Sequence, residues 1–295
     1  IFIPALHCEV EKMKILVTGV GGQLGYDVCK VLDARNIENR GVDLADFDIT
    51  DARATHNYIV NYHPDAVIHC SAWTAVDKAE DEYEKVRAVN ADGPCNIAAA
   101  CKEINAKMLY ISTDYVFPGS GERFYEPDDP TGPLSVYGST KLAGEKAVKS
   151  LLNRYFIVRI SWVFGKNGNN FVKTMLRLAE IHDELNVVCD QIGSPTYTAD
   201  LASLLCDMIA TEKYGTYHAT NEGICSWADF AEEIFKIAGK NVKVNHIPTS
   251  GYPTRAARPL NSRMSKDKLE QAGFKRLPTL EDALKRYLIE LEISK

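Results

Sequence analysis

No stretch of the chain stays apolar for anything close to the roughly 20 residues needed to cross a bilayer, so no membrane segment is read from it. Positive charge is not in excess either. Lys and Arg number 34 against 40 Asp and Glu, a net charge of -6, which argues against a nucleic-acid-binding surface. A phosphorylated ligand stays allowed, because backbone N–H groups and one or two arginines are enough to hold a phosphate. There are eight cysteines but no C-x-x-C pair, and most sit among apolar residues, as Cys70 does after Ala66-Val67-Ile68-His69. That pattern speaks against a disulfide or zinc framework and for reduced, buried thiols in a cytoplasmic protein. Internal repeats, low-complexity tracts and flexible linkers are also missing. The first twelve residues, Ile1 to Lys12, have neither the basic start nor the cleavage site of a signal peptide. They read as an extension foreign to the fold that begins at Met13.

What is present is the composition of an ordinary globular protein, 45% hydrophobic and 25% charged. From Lys14 to about Ile160, short β-rich runs alternate with amphipathic stretches, the pattern of a parallel sheet with crossover helices. The expected strands are Lys14–Thr18, Gly41–Asp43, Ala66–His69, Lys107–Ser112 and Phe156–Ile160. The expected helices are Gln23–Asp33, Ala52–Tyr62, Glu82–Asn105 and Val136–Ser150. Beyond Ile160 helices are expected at Phe171–Asp183, Ala199–Thr211, Ser226–Ala238 and Leu280–Glu292, between loops rich in Gly, Pro and Asn. The fold class is therefore α/β, a Rossmann-type doubly wound sheet. Residues 13–165 form its dinucleotide-binding domain, and 166–295 a smaller substrate-binding lobe with segments returning to the main sheet.

The first strand runs into Gly19-Val20-Gly21-Gly22-Gln23-Leu24-Gly25, a G-x-x-G-x-x-G loop that opens a helix. Glycines there permit a tight turn and let the backbone approach a pyrophosphate lying on the helix N-terminus. Eighteen positions after Gly25, Asp43 ends the second strand, where an acid can hold the ribose hydroxyls. An acid also suits a plain turn, and the glycine loop is what favours the cofactor. A carboxylate there accepts NADH, and nothing in the loop rules out NADPH.

In Tyr137-Gly138-Ser139-Thr140-Lys141 the tyrosine and lysine are four apart, on one face of a helix. Reducing a ketone needs an acid for the developing alkoxide. A free phenol titrates near 10, and a neighbouring ammonium favours the phenolate and lowers that value. At the carboxyl end of the fourth strand, Ser112-Thr113-Asp114 offers a hydroxyl, Thr113, that can bond a substrate oxygen, or simply cap the strand.

Three strings, Ser112-Thr113-Asp114-Tyr115-Val116-Phe117, Tyr137 to Glu145 and Thr74 to Glu80, resemble the dTDP-4-dehydrorhamnose reductases, members of the extended short-chain dehydrogenase/reductase class. Gly168 to Met175, Asp190 to Thr196 and Arg258 to Ser262 resemble them too, so the likeness runs from Met13 nearly to the end. The resemblance implies an enzyme that uses NADH or NADPH to reduce the C4 ketone of a dTDP-linked 6-deoxysugar, making dTDP-L-rhamnose. It implies Tyr137 as proton donor, Lys141 as the residue orienting the cofactor, and Thr113 assisting. Gly22, Gln23 and Leu24 would follow the pyrophosphate and Asp43 the ribose; Asp48, Ile49, Ala72, Trp73 and Thr74 would line the cofactor. Thr113, Asp114 and Trp162 would meet the sugar and Arg258 the diphosphate, although Trp162 also suits a core and Arg258 a solvated loop. Trp73 stands where His or Tyr is expected. Some relatives hold magnesium at a subunit contact, which leaves a homodimer open. The matching residues here are Asp27, Asp200 and Glu290, and Asp in place of Glu at two of them weighs against magnesium. Sugar-nucleotide epimerases or dehydratases of the same fold, and non-catalytic regulatory subunits of the same family, are the alternatives.

Overall fold

The structure, a computed structural model, describes residues 13–293; the foreign extension expected at 1–12 lies outside the described residues. Six parallel strands make the central sheet: β1 (Ile15–Thr18), β2 (Asn39–Val42), β3 (Ala66–His69), β4 (Lys107–Thr113), β5 (Tyr155–Ile160) and β6 (Gly215–His218). Their spatial order is β2-β1-β3-β4-β5-β6. Among the described residues eight helices have eight residues or more: α1 (Gln23–Ala34), α2 (Ala52–Tyr62), α3 (Gly93–Glu103), α4 (Val136–Leu151), α5 (Phe171–Leu178), α6 (Thr198–Ile209), α7 (Trp227–Ile237) and α8 (Leu280–Ile293). No helix among the described residues is long and apolar enough to cross a membrane.

The alternation of side chains along β1 divides the core. Ile15 and Val17 face a cluster with Val28, Leu32, Leu201 and Leu205 from α1 and α6. Leu16 faces the opposite cluster, with Ile59, Ile97 and Val148 from α2, α3 and α4. Both faces are covered, which is why these strands read as continuous apolar runs. A third core, built around Phe164, Phe230, Ile234 and Tyr287, belongs to the C-terminal lobe. β6 comes from that half of the chain and pairs in parallel with β5 at the sheet edge.

Several boundaries differ from expectation: the helix expected over Phe171–Asp183 stops at Leu178, and the strand expected at Gly41–Asp43 ends at Val42, leaving Asp43 just past it. The second strand begins at Asn39, where pairing with Ile15 starts, so polar Asn39 and Arg40 belong to it. The helix expected over 82–105 is broken. A short helix, Tyr83–Arg87, passes through a π-turn at Ala88–Asp92 into α3. The wider turn places Asn90 in the interior, where its side chain joins Trp73 and Thr140.

The strand order reverses between β1 and β3, and open α/β sheets bind ligands beyond the carboxyl ends of the strands at such a reversal. A cleft of about 910 Å³ lies there, reaching from the glycine loop on β1 to the ends of β4 and β5.

Candidate active site

Along one wall of the cleft runs the glycine loop. Gly22 is the N-cap of α1 and supplies no side-chain cap, and no acidic residue stands in the helix's first turn. The first N–H groups of α1 are thus left for an anion. Gly19 adopts φ +75°, and a Cβ there would fall 2.7 Å from the Ser71 nitrogen. A Cβ on Gly25 would fall 2.3 Å from the Gly19 oxygen, so the helix can pack this close to the turn only as glycine. Asp43 accepts from the Gly21 N–H at 2.8 Å and from the Leu44 N–H at 2.8 Å, bracing the loop from β2. From the other lobe, Asn167 donates to the Gly21 carbonyl at 2.8 Å and Asn170 to the Gln23 side chain at 3.0 Å. The donors and the close backbone approach fit a dinucleotide pyrophosphate.

Tyr137, Lys141, Thr113 and Asp114 all line the far end of the same cleft. The Ser135 side chain caps α4 by accepting from the Gly138 N–H, which starts the helix just before Tyr137. The Tyr137 ring meets Tyr115 edge-on at 5.3 Å. Its phenol is pushed above the ordinary tyrosine range by burial first; the Thr113 hydroxyl opposes this, and the charges of Asp114 and Tyr115 add to it. Helical spacing alone predicts that Lys141 pulls the phenol down. Instead its ammonium is turned to the sheet, donating to the Ile111 carbonyl at 2.7 Å over the Tyr110 ring. Burial lowers Lys141 to about 7, against a counter-pull from Glu145 and Cys70. The phenol is therefore a protonated acid in the free protein, and burial leaves the lysine readier to lose its proton than a solvated one.

Thr113 donates to Asp114 at 2.9 Å, and Ser262 donates to the other carboxylate oxygen at 2.5 Å. Asp114 is buried, and desolvation raises it to about 6 although both hydroxyls favour its charged form. Beside this group Trp162 extends over the carboxyl edge of β5. Its φ of +51° is the left-handed region that a bulky residue avoids, at a cost of about 1–3 kcal/mol. The backbone is pinned there: Thr196 donates through its N–H to the Trp162 carbonyl and through its hydroxyl to the Ser161 carbonyl, and the Ser161 hydroxyl donates to the Ser194 carbonyl.

Asp48, Ile49, Ala72 and Thr74 line the cleft as well, whereas Trp73 and Arg258 are not among its lining residues. The Trp73 indole donates to the Ala75 carbonyl and its backbone is locked to Asn90. Arg258 donates to Asp77 at 2.7 Å and to the Tyr115 hydroxyl at 3.1 Å. Asp27, Asp200 and Glu290 do not converge on one point. Asp27 accepts from Thr198, Asp200 is held bidentately by Arg286, and Glu290 bonds Lys30 and Tyr197. Among the described residues, the His, Cys, Asp and Glu atoms close enough to share a metal ion are those of Asp229, Glu232 and His246, all exposed. Asn90, Trp227 and Ser262 join the site without a signal of their own in the sequence, although Ser262 ends the Arg258–Ser262 string.

Residues 13–293 match the family described as the RmlD substrate binding domain. The chain belongs to that family. A dTDP-4-dehydrorhamnose reductase from Streptomyces griseus is 42% identical over 269 residues, covering 89% of this chain and 88% of the relative. The crystal structure of a dTDP-4-dehydrorhamnose reductase from Clostridium acetobutylicum superposes with a TM-score of 0.93 at 45% identity, covering 95% of this chain and 100% of that one. A second, from Bacillus anthracis in complex with NADP, gives a TM-score of 0.92 at 43% identity, covering 95% and 99%.

Two buried imidazoles near the site carry a stability prediction. His69 ends β3 and shares a 2.7 Å hydrogen bond with Thr18 directly under the glycine loop; His218 ends β6. Burial lowers both to about 3, with Lys141 adding to the effect on His69 and Arg159 to that on His218. Between the unfolded value of 6.5 and about 3 the unfolded chain binds these protons and the folded one does not. Their contribution is therefore lost as pH falls through that window, by about 1.4 kcal/mol per pH unit for each histidine. Urea midpoints measured from pH 7 to 4 should fall steeply, and His69→Asn should flatten the slope. An unchanged slope would show that the imidazole is not held neutral.

Proposed function

We propose that this chain reduces the C4 ketone of dTDP-4-dehydro-6-deoxy-L-mannose to dTDP-L-rhamnose, using NADH or NADPH. One observation carries the reading: a phenol, a lysine and a threonine share a cleft with an uncapped, glycine-lined helix N-terminus. The reductases among the relatives, and the NADP complex of the Bacillus anthracis protein, support it.

In this reading the backbone N–H groups of Gly22, Gln23 and Leu24 hold the pyrophosphate, and Gly19 and Gly25 let it approach. Asp43 receives ribose hydroxyls, while Asp48, Ile49, Ala72 and Thr74 shape the nucleoside walls. The bound dinucleotide supplies a hydride. Tyr137 donates its proton to the oxygen at C4, so ketone, hydride and proton balance to the alcohol. Lys141, which lines the cleft, orients the nicotinamide ribose by releasing the Ile111 carbonyl and, when charged, stabilises the phenolate left behind. Thr113 and Asp114 bound the carbonyl, and Trp162 bounds the sugar. Arg258 reaches the substrate diphosphate by exchanging Asp77 for it. No step is assigned to magnesium, because Asp200 is already neutralised by Arg286.

The test is an assay of NADH and NADPH oxidation with a dTDP-4-dehydro-6-deoxyhexose. One cofactor oxidised per sugar reduced is expected. An epimerase would regenerate its cofactor and a regulatory subunit would consume none, so zero net oxidation contradicts the proposal.

A further inference from the structure

Trp162 and Trp227 lie face to face, with ring centroids 3.8 Å apart and planes 14° from parallel, and both line the cleft. Trp227 is the first residue of α7. The capping box of Ser226 and Asp229 fixes where that helix starts and so where the indole projects. Behind it, Phe171 from α5 packs at 4.6 Å. On the side of Trp162, Gly193 has no side chain, and a Cβ there would come within 2.9 Å of the indole. Trp162 is thus packed against a second indole and against the Gly193 backbone, on a backbone conformation it would not adopt unaided, and still lines the cleft.

The sheet register says which end of the cleft this clamp serves. Ile160 pairs with Thr113, so Trp162 stands two residues past the partner of the proposed carbonyl-binding threonine. The glycine loop follows β1, which lies beyond β3 and β4 in the sheet order. The clamp therefore borders the space beside Thr113 and Tyr137, while behind it Phe171 follows Asn170, which bonds Gln23 of the glycine loop.

We infer that Trp227 is a positioning residue that sets affinity for the sugar: it holds Trp162 as a rigid wall against which the pyranose ring of the sugar nucleotide lies. The inference rests on the reductase reading above. Aromatic surface suits the C–H faces of a sugar, and a ring already immobilised loses no rotamer freedom when the ligand arrives. No atom of Trp227 takes part in hydride or proton transfer, so its effect falls on binding.

The experiment measures kinetics and circular dichroism on wild type, Trp227→Ala and Trp227→Phe. Stacked indoles give an exciton couplet in the far ultraviolet, which wild type should show and both variants should lack. In Trp227→Ala the KM for the sugar nucleotide should rise roughly tenfold, the upper end for an aromatic pair. Its KM for NADPH and its kcat should both change far less than its KM for the sugar nucleotide. Trp227→Phe keeps a ring against Trp162 and should restore most of the affinity. If the alanine variant does not fold, Trp227→Leu, which fills the volume without an aromatic face, carries the same expectation. A lost couplet with an unchanged sugar KM would overturn the inference while leaving the reductase reading intact. A wild type that oxidises no NADPH would instead overturn that reading.

Discussion

Tyr137→Phe should lower kcat by roughly a hundredfold to ten-thousandfold, the range for removing a positioned general acid. The substitution deletes one oxygen and keeps the ring, so the edge-on contact with Tyr115 survives. Cofactor affinity should change little, because the glycine loop and Asp43 hold the dinucleotide at the other end of the cleft. Burial keeps the phenol protonated, so wild type enters the reaction with its acid loaded. The check is steady-state kinetics together with a fluorescence titration of NADPH. A variant with wild-type kcat would remove Tyr137 from the chemistry, and one that no longer binds NADPH would make its role structural.

Glu145→Ala should cost about 3–5 kcal/mol of stability, the range for breaking one side of a buried ion pair. Glu145 lies one helical turn beyond Lys141 on α4 and is completely buried. Arg159, on β5, is equally buried and grips both of its oxygens, at 2.8 and 2.7 Å, while its third nitrogen bonds the Pro127 carbonyl. Burial by itself would raise Glu145, but the arginine fork outweighs it and holds the carboxyl below its usual range. Its stabilisation is therefore present above the unfolded value of 4.5 and lost as pH falls through the lower folded value. Without the carboxylate, Arg159 is a bare charge in the core, and α4 loses its bidentate tie to β5. A fall in the urea midpoint should accompany a loss of activity. A variant as stable as wild type would show that water reaches Arg159.

The parts of this protein that were legible in the sequence are those encoded locally. The glycine loop stands next to β1, Tyr137 and Lys141 stand one turn apart, and Thr113 ends an apolar strand; all three lie on the cleft in the structure. What the sequence hid depends on partners far along the chain. Arg258 bonds Asp77, 181 positions away, and Trp227 stacks on Trp162 from the start of a helix whose amphipathic pattern says only that it packs. Trp73 turns to Asn90 because a π-turn, which has no distinctive composition, carries Asn90 inward. The direction of the Lys141 ammonium was equally invisible. Helical spacing fixes the face on which a lysine stands, and the carbonyl of Ile111 decides where its charge goes.

The most direct test of the central claim follows the hydride itself. NADPH carrying deuterium at the transferable position of the nicotinamide should be incubated with the protein and dTDP-4-dehydro-6-deoxy-L-mannose, and the product sugar analysed by NMR and mass spectrometry. Deuterium should appear at C4 of dTDP-L-rhamnose, one atom per cofactor oxidised. A sugar product without deuterium at C4, or a cofactor that keeps its label, would contradict the account.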